Sequence, residues 1–200
     1  MALVKYICHN KLSINFAEFK LNKPAAKVDT YQYKDFYIID LKGQYSLPSV
    51  LENIIHPIAD RIKKIGIIQD ADTDFNKSET AIKKAITDSK IPNEKTNYFL
   101  TPNNKDKGDL ETLLLSTITD DSIVNCFDDY KTCLQDAQDI HPKALNKGQV
   151  YAYTMYSQKG ENLYKPQDSF IFKNNDTNLW DLQHDNFKPI IDFVLNTFEA

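Results

Sequence analysis

Arginine is nearly absent from this 200-residue chain: Arg61 stands alone among 24 basic residues, the rest being Lys. With a single guanidinium fork the bidentate grips favoured for phosphates and base edges are nearly absent, which argues against dedicated sequence-specific DNA binding. Glycine is scarce too, at five copies, and no Gly-x-Ser-x-Gly elbow, Walker loop or Gly-x-Gly-x-x-Gly occurs. Serine-hydrolase, P-loop and dinucleotide-binding readings therefore have no support. Cysteine is thin. Cys8, Cys126 and Cys133 contain no Cys-x-x-Cys pair and leave one thiol over if two bond, which argues against a disulfide framework and a zinc knuckle and leaves buried thiols as the expectation. No uncharged apolar run is long enough to span a bilayer, and the opening MALVKYICHNKLS shows neither an apolar signal core nor a cleavage signature. The expected location is the cytoplasm, with no membrane partner.

What remains fits a folded globular chain, with 42% apolar and 26% charged residues and a net charge of −4. The charge is uneven: residues 1–100 carry +3 and residues 101–200 carry −7. The length suits one compact domain with a modest extension, divided into an α/β core over 1–120 and a helical C-terminal part over 121–200 packed on that core.

Apolar periodicity gives the order of elements. A short buried strand is expected over 4–8, a short helix over 14–20, and a strand over 36–41 ending at a turn that contains Gly43. Leu51, Ile54, Ile55, Ile58 and Ile62 recur at helical spacing after a Ser49 cap, and Pro57 should kink or divide that helix. The run 65–68 reads as a strand, followed by an acidic loop and a helix through Ala81, Ile82, Ala85 and Ile86. Residues 97–100 read as a further strand, with a helix through Leu110, Leu113, Leu114 and Ile118. Four βα alternations predict a mainly parallel central sheet flanked by helices. Beyond it, helices are expected through Ile123, Phe127, Tyr130 and Leu134, from Pro142 to Tyr156, and from Pro189 to Phe198, with an edge strand over 168–173. Tyr151, Tyr153 and Tyr156 with Trp180 read as packing residues rather than a base-stacking platform.

The sharpest chemical feature is KIGIIQDADTDF, an apolar strand that delivers Asp70, Asp72 and Asp74 at its carboxyl end, where open α/β sheets bind ligands. Crowded carboxylates repel unless a cation or proton intervenes, and hard oxygen donors suit Mg²⁺ or Mn²⁺. The plainer reading is an Asp-rich turn capping the next helix, with Asp74 or Ser78 as cap. A calcium loop fails on spacing, because Phe75 stands where it needs Gly and Ala81 where it needs Glu. A haloacid-dehalogenase-type phosphatase wants Thr or Val where this chain has Asp74. The later segment TPNNKDKGDLETLLL places Glu111 at a helix start beside a polar loop in which Asn103, Asn104, Lys105 and Lys107 are candidate phosphate ligands.

Through IGIIQDADTD and the TPNN…G-x-L-E-x-L-L-L segment, with a weaker echo in the tail from Trp180 to Phe198, the chain resembles a small Toprim-like family of bacterial proteins of unknown function. The resemblance runs from Leu41 to the C-terminus. It implies a Rossmann-like sheet whose Asp-x-Asp pair, Asp70 and Asp72, binds a divalent cation for phosphodiester chemistry on nucleic acid; the carboxylate cluster adds Asp74 and Glu111 as outer or second-site partners of Mg²⁺ or Mn²⁺, with Glu111 the candidate base. It also implies a protein partner such as an ATPase, since some Toprim nucleases act beside one. One piece departs from the pattern: His9 stands where such domains carry a Glu after their first strand. That departure favours the alternative, a non-catalytic Toprim-like module for a partner protein or phosphate ligand.

Overall fold

The first element is a helix where the sequence suggests a strand. In this computed structural model, which describes residues 2–22, 28–41, 47–118, 120–137, 142–157 and 180–198, helix α1 spans Ala2–Leu12. Six of its residues are buried, Lys5 among them, so it has no polar stripe to announce a 3.6-residue period. The Lys5 ammonium sits over the face of Tyr31, 3.4 Å from the ring centroid, and 5.5 Å from that of Phe19. Burial pulls the Lys5 amine below its ordinary value, and the Asp40 charge opposes that pull.

The helix expected over 14–20 shrinks to one tight turn, Phe16–Glu18. Asn15 caps it by accepting from the Ala17 amide at 2.9 Å while its own amide donates to Glu18 at 2.9 Å. The chain then enters an antiparallel meander, β1 (Lys20–Asn22), β2 (Asp29–Tyr33) and β3 (Phe36–Asp40), in which Tyr31 stands opposite Leu21 on one side and Ile38 on the other. A two-residue turn joins β2 to β3, with Lys34 in the left-handed region at φ +50°. So short a link forces antiparallel pairing, because a parallel pair needs a crossover. The turn containing Gly43 and the strand over 168–173 lie outside the described residues.

Residues 47–61 form one winding stretch: α2 (Leu47–Val50), a wide turn Leu51–Ile55 and a tight turn His56–Arg61 with Pro57 at its start. Pro57 thus divides the helix as its missing N–H requires. Ser49 does not cap it; Ser49 lies inside α2, where its carbonyl accepts from Asn53 Nδ2 at 2.9 Å.

The parallel part of the fold is a single βαβ unit. Strand β4 (Ile65–Asp70), helix α3 (Phe75–Asp88) and strand β5 (Thr96–Thr101) form it, the two strands pairing in register from Ile65 opposite Thr96 to Asp70 opposite Thr101. The expected four alternations and mainly parallel sheet therefore reduce, among the described residues, to a two-stranded parallel sheet beside a three-stranded antiparallel one. The class is α/β. Residues 4–8 are helical and β3 turns back on its neighbour, so neither contributes a parallel strand.

Helices α4 (Leu110–Leu115), α5 (Asp121–Ala137), α6 (Pro142–Ser157) and α7 (Lys188–Phe198) complete the described chain. Alternating residues of β4 and β5 face two cores. Ile67 and Leu100 pack with Ile82, Ala85 and Ile86 of α3, while Phe99 and Ile68 pack with α1, α4 and α7. Cover on both faces explains why the β4 run is apolar without alternation. At Gly66 helix α7 packs close: a Cβ there would meet Thr197 Oγ1 at 2.8 Å. Trp180, 2% exposed, packs its ring 5.2 Å from Tyr153, so these two build core as expected, whereas Tyr156, 66% exposed, does not pack there. Among the described residues no helix is long and apolar enough to cross a membrane.

Candidate functional site at the carboxyl end of the parallel pair

Strand β4 ends at Asp70, half-buried beside Thr101 of β5. Asp70 Oδ1 accepts from the Thr101 hydroxyl at 2.8 Å and from the Leu110 amide, the first of α4, at 3.1 Å. One carboxylate oxygen thereby ties together the ends of both strands and the start of a helix, whose exposed amides and dipole favour an anion. Thr101 is 2% exposed, so its hydroxyl has little access to water and depends on Asp70.

Asp72 and Asp74 follow different courses. Asp72 has φ +53°, outside the strand region, so strand alternation no longer sets the direction of its side chain. It is exposed, and its carbonyl accepts from the Gly108 amide at 2.8 Å, which draws the loop 101–108 back over the strand ends. Gly108 has φ +145°, and a Cβ on it would meet Pro102 Cδ at 3.0 Å and Thr112 Oγ1 at 3.1 Å. A side chain there would be strained. Asp74 is the N-cap of α3, accepting from the Lys77 amide at 3.0 Å. The capping role open to this Asp-rich turn is thus filled by Asp74 rather than Ser78, whose hydroxyl donates to the Ala71 carbonyl at 2.9 Å.

Glu111 lies in the first turn of α4, half-buried. Its carboxyl is held above the ordinary carboxylate value chiefly by burial, and the charges of Asp109 and Asp70 push it further the same way; its own backbone amide and Lys147 oppose them. The structure thus brings Glu111 into electrostatic range of Asp70. Asp109 is 4% exposed and caps α4, accepting from Thr112 N at 2.9 Å and Thr112 Oγ1 at 2.7 Å. The Thr112 hydroxyl oxygen accepts in turn from Asn146 Nδ2 of α6 at 3.3 Å. Thr101, Asp109, Thr112 and Asn146 are not among the residues the sequence singles out. Asp-x-x-Thr ahead of the apolar run 113–115 is a capping-box signal that could have found two of them.

A family model matches residues 2–199, nearly the whole chain. The chain belongs to the family described as protein of unknown function (DUF3226). No curated protein and no solved structure matches it.

In this DUF3226 member the loop 101–108 satisfies itself. Asn103 Oδ1 accepts from the amides of Lys105 at 3.1 Å and Asp106 at 2.9 Å, and Asn103 Nδ2 donates to Asp106 Oδ2 at 2.8 Å. Asn104, at φ +62°, exchanges bonds with Leu100: its amide donates to the carbonyl at 2.7 Å and its Oδ1 accepts from the amide at 3.0 Å. Lys105 and Lys107 are exposed on either side of Asp106. His9 lies on helix α1, so it follows no strand. Its ring meets Phe16 edge-on at 6.0 Å, and its Nδ1 is buried with no hydrogen-bond partner among the described residues.

The chemistry of the donor set bears directly on a divalent cation. Among the described residues no three His, Cys, Asp or Glu side chains gather as ligands of one metal ion. Asp74 is engaged as a cap through one oxygen, and one Asp70 oxygen accepts from two donors.

Proposed function

We propose that this chain is a non-catalytic Toprim-like binding module that takes a phosphate-bearing ligand or partner at the rim formed by the strand ends and the loop 101–108. The observation that supports it is Asp70. One oxygen of the carboxylate that would hold the cation in a catalytic Toprim site accepts from both Thr101 and Leu110, so Asp70 serves the fold. Asp74 as a helix cap and His9 on a helix point the same way. Lys105 and Lys107 supply the exposed positive charge that a phosphate requires, while the loop amides of Lys105 and Asp106 are already spent on Asn103. Such a ligand would be held by two ammonium groups alone, a weak and salt-sensitive grip.

A second reading, metal-assisted phosphodiester chemistry on nucleic acid, is favoured by Glu111. A half-buried carboxyl raised by burial beside Asp70 and Asp109 has the character of a general base. Such chemistry requires Asp70 to share a cation with Asp72 through the oxygen that does not accept from Thr101 and Leu110.

Incubation with mixed DNA and RNA in Mn²⁺ separates the two. A non-catalytic module should give no cleavage, together with binding of a labelled oligonucleotide that weakens in Lys105→Glu/Lys107→Glu. The log–log salt dependence should then flatten by roughly two units, one for each ammonium that no longer neutralises a phosphate. Cleavage that disappears in Asp72→Ala would establish the second reading instead.

A further inference from the structure

We infer that the cavity between α4, α5 and α6 is a binding site for a small zwitterion, an α-amino acid with an apolar side chain. The cavity measures about 270 Å³. That falls just below the roughly 300 Å³ at which sites for drug-sized ligands begin, so its occupant is smaller than a drug or a dinucleotide.

Its wall is apolar, formed by Leu115 of α4, Ile118 just beyond it, and Val124 and Phe127 of α5. All four are only half-buried, so the neighbouring helices leave this surface uncovered. Two opposite charges, Asp128 and Lys131, line the same space from adjacent positions on α5. Residues three apart on a helix are neighbours and pair readily. Yet among the described residues neither belongs to an ion pair, although three other Lys–carboxylate pairs four residues apart do close. Their charges are thus available to a ligand that carries both signs.

Two amides complete the site. Gln149, 4% exposed, donates through Nε2 to the Phe127 carbonyl at 2.9 Å, and Asn146 donates through Nδ2 to Thr112 Oγ1 at 3.3 Å. With their NH₂ groups anchored, both amides offer oxygen acceptors, and with Asp128 they form an acceptor set suited to an ammonium group. Lys131 remains for the carboxylate. The apolar wall then takes an aliphatic or aromatic side chain. A phosphate ligand would be repelled by Asp128, and a fatty acid would leave the acceptors unpaired. Because Thr112 closes the Asp109 cap, an occupant would also brace the first turn of α4.

Calorimetric titration of the whole chain with L-leucine and L-phenylalanine tests this, alongside 4-methylpentanoate, which lacks the ammonium, and isoamylamine, which lacks the carboxylate. The expected result is saturable binding of an amino acid, at least tenfold weaker binding of both truncated probes, and loss of binding in Lys131→Glu with the circular dichroism unchanged. The truncated probes act on the unmodified protein, so the test survives if that variant misfolds. No binding of either amino acid at millimolar concentration, or equal binding of 4-methylpentanoate, would overturn the proposal. Neither outcome bears on the rim at Asp70, which lies outside the cavity lining.

Discussion

Replacing Asp70 with Ala removes the one acceptor that serves both the Thr101 hydroxyl and the Leu110 amide. Hydrogen bonds to a charged group contribute about 1.5–3 kcal/mol each, and a buried donor left without a partner costs about 1–3 kcal/mol. Thr101 is 2% exposed, so its hydroxyl falls in the expensive class; the half-buried Leu110 amide regains part of its loss from water. Two opposing effects remain: Asp70 gains from the α4 dipole, by about 0.3–1 kcal/mol, and is repelled by Glu111. The net expectation for Asp70→Ala is a loss of about 3 kcal/mol, or roughly 6–12 °C in melting temperature for a chain of this size. Asp70→Asn keeps an acceptor oxygen and should lose about 1 kcal/mol. Urea and thermal melts provide the values. A double-mutant cycle with Thr101→Val should show a coupling of about 1 kcal/mol. If Asp70→Ala were neutral or stabilising, as expected of a carboxylate kept under repulsion for a ligand, the assignment of Asp70 to the fold would be wrong.

Glu111 gives a pH signature. Its folded-state value is raised, so the favourable contribution of its neutral form is complete below the unfolded-state value and is lost as pH rises through the folded one. Glu111→Gln should therefore be more stable than the parent near about pH 7, with the advantage vanishing on acidification below the ordinary carboxylate range, as read by urea melts across pH. Equal stability of the two proteins at neutral pH would count against that burial penalty. Gly66→Ala should cost about 1–3 kcal/mol by pressing α7 away from β4, with partial recovery when Thr197→Ala is added; an unchanged melt would show that α7 does not seat there. Cys8 is buried and its thiol is pushed up to about 12, whereas Cys126 and Cys133 are exposed. Alkylation followed by mass spectrometry should therefore modify the two α5 thiols quickly and Cys8 only on unfolding.

The parts of the fold legible in the sequence are those with one polar face or a sharp boundary. Helix α3 shows Ile82, Ala85 and Ile86 on a single stripe, and β4 stands out because its apolar run stops abruptly at Asp70. Helix α1 reads as a strand because its burial on most sides erases the stripe, and a short apolar run rich in Val, Tyr and Ile has the composition of either element. Strand β2 is hard to see although Thr30, Tyr31 and Tyr33 favour a strand. Its turn, at Lys34 and Asp35, lacks the Asn-Gly signal that marks a hairpin. In the candidate site, the position of Asp70 at a strand end and of Glu111 at a helix start follows from sequence order. The work done by Asp70 does not, because Leu110 is 40 residues away and only the βαβ crossover brings its amide to the carboxylate.

On the proposed function, the acidic run serves the fold and a rim of exposed charge rather than a divalent cation. Titration with Mn²⁺, followed by the paramagnetic relaxation of water protons, tests it on the parent protein and on Asp70→Asn/Asp72→Asn, which preserves the shape of both side chains. The expected result is the same weak, non-saturating response from both proteins. A saturable site in the parent that disappears in the double variant, with the fold intact by circular dichroism, would contradict it.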